Sequence, residues 1–307
     1  MPFGIRPSNV RVCHSTTRAG ERGRKSSAER SESQVSLTSE MVVILLERKI
    51  KRKRKRMSKS ENRDWIKIDL HIHTLDDPKD VIDYSAHQLL ERAKQLGFGV
   101  LAITLHDAVF DRPKVFADAA AMGIVLIPAA EVRLQGADAI LLNVTSAEVA
   151  GLKNFDDLRQ LRARRGLSIF TIAPHPFYVL GGSIGERLLD EIDCFDGIEL
   201  CHFHKGFFNL NRRAVKVAKQ FNKPLIATSD AHQLHAFGRH YTSIPRPKEF
   251  TVENIFAALR GGPRRVVSPP ASIVDLAGAI YFFFFTHPAR IRRRHSCASA
   301  LESQSQT

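Results

Sequence analysis

Cysteine is scarce in this sequence, and the four present, Cys13, Cys194, Cys201 and Cys297, are scattered with no CxxC spacing. Such an arrangement fits neither a disulfide framework nor a thiolate zinc site, so a reducing, cytoplasmic setting is expected. A secretory signal is also lacking: Arg6, Arg11 and Arg18 stand among Ser and Thr with no apolar run behind them. Long apolar stretches are missing as well. The segment Ser272–Phe285 ends in Ile280-Tyr281-Phe282-Phe283-Phe284-Phe285 but contains Asp275, which leaves it short of the ~20 apolar residues of a spanning helix. Finally, the formal charge of +14 is not spread along the chain. Residues 1–64 carry 17 basic and 7 acidic side chains, residues 65–286 carry 25 and 24, and residues 287–307 carry 4 and 1. The middle is electrically balanced, which argues against a long duplex-binding groove, because phosphate tracking needs clustered Lys and Arg.

What is present falls into three parts. Residues 1–62 are rich in Ser, Arg, Lys and Glu and include a run from Arg48 to Arg56 broken only by Ile50. A block of like charge repels itself and cannot pack, so these residues read as a disordered basic leader. It is either a solvated extension or a weak contact with an anionic surface, nucleic acid or membrane. Residues 63–268 have the texture of a folded domain. Residues 269–307 read as an apolar helix with a basic tail, packing back on that domain or lying in a membrane interface.

From Trp65 onward, seven apolar, β-branched runs read as buried strands: Ile66–His73, Val100–His106, Ile124–Val132, Ala139–Val144, Leu167–His175, Gly197–Phe203 and Pro224–His232. Helical patterns lie between them. In Ser85–Leu96, residues Leu89, Leu90, Ala93 and Leu96 share a face, and Asn209–Phe221 does the same with Leu210, Ala214, Val217, Ala218 and Phe221. Alternating strand and helix predicts an α/β domain of parallel strands, either a barrel or a doubly wound sheet, with its site at the strand C-terminal ends.

Metal-type ligands cluster at those ends. The first run finishes Asp69-Leu70-His71-Ile72-His73, and side chains two apart on a strand share a face, so both imidazoles can converge on one ion. The second finishes at His106-Asp107, the third near Glu131, the fifth at Pro174-His175-Pro176 and the seventh at Ser229-Asp230-Ala231-His232; the sixth has Glu199, His202 and His204 nearby. A lone histidine is usually a satisfied core or surface residue. Several at the same end of successive strands would be costly to bury without a cation. Imidazole with carboxylate suits zinc, manganese or iron, and a carboxylate such as Glu131 can bridge two ions.

Taken together, Asp69-Leu70-His71-Ile72-His73, Ala102-Ile103-Thr104-Leu105-His106-Asp107, Glu131, Pro174-His175-Pro176 and Ser229-Asp230-Ala231-His232 resemble the successive motifs of the polymerase and histidinol phosphatase (PHP) family, over roughly residues 65–245. The resemblance implies a distorted seven-stranded (β/α)7 TIM-like barrel that holds two or three divalent ions and hydrolyses phosphate esters. His71, His73, Glu131 and Asp230 resemble the ligands of a first ion, His106 and His232 those of a second, and His175 with Glu131 those of a third. Two departures stand out. Leu105 occupies a position that is usually Asp, and the loop Leu75-Asp76-Asp77-Pro78-Lys79-Asp80 replaces a usual Ser-Asp-Gly; Asp80 is favoured over Asp77 as its acidic ligand.

A centre of this kind lowers the pKa of water and stabilises charge on phosphoryl oxygens, so no protein nucleophile is needed. Glu131 and Asp230 are then the central catalytic carboxylates, and His202 or His204 is placed to protonate the leaving oxygen. Lys205 and Arg239 could hold a second phosphate or could simply be solvated. Single-domain relatives of this layout resemble phosphatases of nucleoside 3′,5′-bisphosphates and short-oligonucleotide 5′-3′ exonucleases. A small phosphorylated substrate, a nucleotide or short oligonucleotide, is therefore expected, with histidinol phosphate as the alternative substrate and a metal-binding module without turnover as the alternative class.

Overall fold

The computed structural model describes residues 64–178, 181–205 and 209–272, with positions 277, 278, 281, 285, 286, 288, 290 and 291. The basic leader (1–62) and most of the C-terminal segment 269–307 lie outside the described residues.

Among the described residues nine strands form one sheet: β1 (Trp65–Ile72), β2 (Phe98–His106), β3 (Val125–Leu134), β4 (Ala137–Leu142), β5 (Phe170–Ala173), β6 (Gly197–Leu200), β7 (Leu225–Ala227), β8 (Tyr241–Pro245) and β9 (Arg265–Val267). Their order is β7-β6-β5-β4-β3-β2-β1-β8-β9. Each of the seven expected runs contains a strand, but the count of seven is short by two, and the expectation of parallel strands also needs correction. The β4 strand runs antiparallel to both β3 and β5, because Gln135 and Gly136, at φ 50° and 84°, make the two-residue positive-φ turn that closes a hairpin. The β8 strand is antiparallel to β1 and to β9.

The sheet nearly closes on itself. The first half of β1 pairs with β8, while its C-terminal end takes the extension of β7: Asp230 N donates to His71 O at 3.0 Å and His73 N donates to Ala231 O at 3.3 Å. On the other side Thr242 of β8 stands in for a ladder, its hydroxyl donating to Ala227 O at 3.0 Å and accepting from Ala227 N at 2.8 Å.

Among the described residues, α-helices that connect or flank the strands are α1 (Ala86–Leu96), α2 (Pro113–Ala121), α3 (Ser146–Ala150), α4 (Phe155–Arg165), α5 (Asn211–Gln220) and α6 (Val252–Gly261). The α1 helix begins with a Ser85/Gln88 capping box and stops at Gly97, whose φ of 74° suits a residue without Cβ. Its buried face is Ala86, Leu89, Leu90 and Ala93, which pack on Leu101, Ile103 and Leu105 from the outer face of β2.

The inner face tells the strands apart from end to end. Ile66, Ile68 and Leu70 of β1, Val100 and Ala102 of β2, Ile127 and Ala129 of β3, Ile140 and Leu142 of β4, and Phe170 and Ile172 of β5 share one buried cluster with Ile255, Phe256 and Leu259 of α6. That helix, capped by Thr251, seals the apolar floor. Continuing each inward row by two residues replaces hydrocarbon with polar groups: Thr104 and His106 on β2, Glu131 on β3, and Asp138 on the reversed β4.

Candidate metal centre

On β1 the histidines reach the interior through a bulge. Between Asp69↔Leu101 and Ile72↔Ile103 three residues of β1 span two of β2, so the inward phase passes from Leu70 to His71 and His73, and Ile72 turns outward into the helix layer. Three other ends carry backbone that non-glycine residues rarely adopt: φ is 52° at Asp107, 28° at His175 and 45° at Asp230. Such strain persists only where surrounding contacts hold it, and it concentrates at functional sites.

Glu131 is the hub. Its Oε2 lies 3.3 Å from Nε2 of His71, 3.4 Å from Nε2 of His73 and 3.3 Å from Nε2 of His106, and its Oε1 lies 3.4 Å from Nε2 of His175. Asp230 Oδ1 lies 3.3 Å from His71 Nε2, 3.4 Å from His73 Nε2 and 3.5 Å from His232 Nδ1. His232 Nε2 faces Asp80 Oδ2 at 3.0 Å. The expected ligands His71, His73, Asp80, His106, Glu131, His175, Asp230 and His232 are thus brought to one rim.

The other side of each ring is anchored. Buried Asp77 places Oδ2 3.1 Å from His73 Nδ1 and 2.9 Å from His106 Nδ1, and accepts the His106 backbone N–H at 3.0 Å. Glu199 Oε1 is 2.9 Å from His71 Nδ1, and Oε2 accepts the His175 backbone N–H at 2.5 Å. A carboxylate on Nδ1 fixes the ring and leaves the Nε2 lone pair facing inward. Asp77 therefore clamps two rings at once, whereas Asp80 faces His232, a division that loop composition could not reveal.

The donor set fits divalent ions. Nε2 of His71 and of His73 stand 3.3 Å apart, and around a tetrahedral ion with ~2.0–2.1 Å bonds neighbouring donors are about 3.3–3.4 Å apart. Two inward lone pairs at that distance repel each other unless a cation or proton lies between them. Four overlapping triads have the proximity of ligand sets: His71, His73 and Glu131; His73, Asp77 and His106; His73, Asp230 and His232; and Glu131, Asp138 and His175. Without metal, protons take the cation's place. Burial opposes charge on His71, but Asp230, Glu131 and Glu199 overcome it and hold the ring well above its ordinary value. His175 rises to about 9, burial being outweighed by Glu131, Glu199 and Asp230. Burial likewise works against ionised Glu131 and Asp230, yet His71 and its neighbours hold both carboxyls well below the usual range.

A cavity of about 320 Å³ opens over this cluster, lined by His106, Glu131, His175, Asp230 and His232 and also by Arg133, Asp138, Tyr178, Cys201 and Phe203. Arg133 pairs with Asp138 through Nε and, at 3.1 Å, through an Nη atom. Asp138 escaped the sequence reading because only the reversal of β4 brings its start to the rim. Gly182 is required beside it, since a Cβ there would collide with the Asp138 carboxylate. Neither Lys205 nor Arg239 lines the cavity. His202 packs on Phe203 with ring centroids 3.9 Å apart, and burial pushes it down to about 4, so it is neutral near pH 7. His204 is occupied with Ser268, its Nε2 3.0 Å from the carbonyl and 3.1 Å from the hydroxyl. Leu105 is buried outside the barrel among Ile103 and Phe110, away from the cluster.

The family model described as PHP-associated matches residues 209–263. A two-domain protein from Bacteroides vulgatus ATCC 8482, containing a predicted PHP-like metal-dependent phosphoesterase, superposes with a TM-score of 0.51 at 20% identity, over 66% of this chain and 65% of that one. This is a PHP-like fold. The chain thus spans 65% of that relative's length. It also superposes on PsfC from Pseudomonas syringae PB-5123 with a TM-score of 0.50 at 16% identity, over 71% of this chain and 96% of that one. The lesion-specific endonuclease PfuEndoQ from Pyrococcus furiosus is similar at 17% identity, over 66% of this chain and 58% of that one, with a TM-score of 0.48. No curated protein matches the sequence. Among the described residues no helix is long and apolar enough to cross a membrane.

Proposed function

We propose that this chain is a metal-dependent phosphoester hydrolase acting on small phosphorylated substrates, with nucleoside 3′,5′-bisphosphates and short oligonucleotides as the class tested first. One observation carries the reading: imidazoles and carboxylates from five separate chain segments aim Nε2 and oxygen atoms at a common space, at the separations of metal ligands. His71, His73, Glu131 and Asp230 would hold one ion, His106 and His232 with Asp80 a second, and His175 with Glu131 a third. Divalent zinc, manganese or iron there supplies Lewis acidity and a water of lowered pKa.

The chain's own groups do the rest. Asp77 and Glu199 keep three imidazoles turned inward. Arg133 is the one Lys or Arg side chain lining the cavity among the described residues; Asp138 holds its Nε and one Nη, which leaves the other Nη to meet a phosphate oxygen. His202, held neutral by burial, must gain a proton before it could protonate a leaving oxygen. The cavity volume of about 320 Å³ lies at the lower end of small-molecule sites, roughly 300–1,000 Å³, and suits a mononucleotide or a chain end better than a duplex. The packing of Leu105 outside the site favours an active hydrolase over a metal-binding module without turnover.

The test is phosphate release from a nucleoside 3′,5′-bisphosphate with Mn²⁺, set beside histidinol phosphate. We expect release that vanishes in His71→Ala. Bound metal without release from either ester would sink the hydrolase reading and leave the module.

A further inference from the structure

The cavity lining contains a part that metal ligation does not use. Tyr178 and Phe203 both line it, their rings stacked with centroids 5.4 Å apart and planes 21° from parallel. Tyr178 follows the β5 end, and its ring centroid is 6.5 Å from that of His175, so the pair begins one ring's width from the ligand cluster. Its position comes from backbone rather than chance: Tyr178 N donates to His175 O at 3.0 Å, and that same carbonyl accepts the Ser183 hydroxyl at 2.7 Å. Phe203 comes from the β6 end, where Asn211 of α5 ties both the N–H and the carbonyl of Cys201, at 2.9 and 2.8 Å.

The stacked pair, with His202 packed on Phe203 at 3.9 Å between centroids, makes an aromatic wall at the border of a polar cavity. Aromatic platforms of this type take nucleobases by stacking, and they tolerate any base because every base has a π-face. A phosphate held at the cluster would leave a sugar to cross the intervening gap and a base to meet the rings. From this arrangement we infer that Tyr178 and Phe203 form a base-stacking platform, which makes the substrate a nucleoside phosphate bound without strict base preference. The inference rests on the phosphoesterase reading only for where the phosphate goes.

The test uses the full chain and 2-aminopurine riboside 5′-monophosphate, whose fluorescence is quenched on stacking. Quenching is expected with the parent protein and should weaken roughly tenfold in affinity in Tyr178→Leu and in Phe203→Leu, as expected for loss of one stacking partner. Tyr178→Phe should retain it, which separates loss of the ring from loss of the fold. Absence of quenching in the parent protein, equal affinity in the Tyr178→Leu/Phe203→Leu double variant, or stronger displacement by histidinol phosphate than by adenosine monophosphate would each overturn the platform. Phosphate release is scored separately. Quenching without release keeps the platform and removes the hydrolase, whereas release without quenching does the reverse.

Discussion

The two ends of this barrel are made by the same strands and obey opposite rules. On β3 the inward row runs Ile127, Ala129, Glu131, and on β2 it runs Val100, Ala102, Thr104, His106; an inward step is only about 7 Å. The floor holds itself together, because hydrocarbon from seven strands meets Ile255, Phe256 and Leu259 of α6 with nothing left to satisfy. The rim does not. Buried Glu131 and Glu199 would each cost several kcal/mol without partners, and they, with partly buried Asp230, are tolerable only because imidazoles bring protons, or would share cations, with them. Stability is therefore concentrated at one end and cation demand at the other.

The sharpest way to break that division is at its hub. Glu131→Gln removes the charge shared by His71, His73, His106 and His175. Phosphoester hydrolysis should fall by about 10³-fold or more, some 4 kcal/mol of transition-state stabilisation, with at least one ion per chain lost by elemental analysis. An unchanged metal content would place the ion-binding function elsewhere. At the floor, Phe256→Ala empties a site packed on Phe170 at 5.6 Å between centroids with the rings tilted by 35°, and should cost about 3–5 kcal/mol, read as a lower melting temperature. The folded fraction should still bind its full complement of metal. If metal content fell in step with stability, the two ends would not be separable.

Legibility follows the same line. Where a strand runs regularly into the rim, the period of two carries both its core face and its terminal ligand, as at His106 and Glu131, whereas His175 is out of phase with inward Phe170 and Ile172 and leaves the strand at a positive φ. Periodicity is blind to direction, which hid the reversal of β4 and with it Asp138 and its partner Arg133. The β8 strand ends at Pro245 just before Pro247, and β9 lies between Pro263 and Pro269, so proline punctuation makes both read as loop. Asp77 and Asp80 sit in one acidic loop without a period, and only folding shows that Asp77 clamps two rings while Asp80 faces His232. The bulge that aims His71 and His73 inward leaves Asp69-Leu70-His71 looking like plain alternation, although Leu70 and His71 both face the interior.

A smaller effect sharpens the comparison at the boundary between floor and rim. Asp69 is fully buried, accepts the Ser229 N–H at 3.1 Å, and has Oδ2 without a hydrogen-bond partner among the described residues. Burial raises its carboxyl from 3.8 to about 7, against the Ser229 hydrogen bonds. A carboxyl raised in this way binds its proton more tightly in the native state than in the unfolded chain. Its stabilising contribution is complete below about 3.8 and is lost as pH rises through about 7. In metal-free protein, Asp69→Asn should therefore gain nothing over the parent at pH 4 and progressively more up to pH 7, where the shift bounds the gain at about 4 kcal/mol. We expect roughly half of that, about 2 kcal/mol, because the amide brings a buried donor of its own. Melting temperatures across that range decide it. A gain independent of pH would mean that Asp69 is ionised in the native state, and that the rim's demand for cations begins one residue lower on β1 than Leu70.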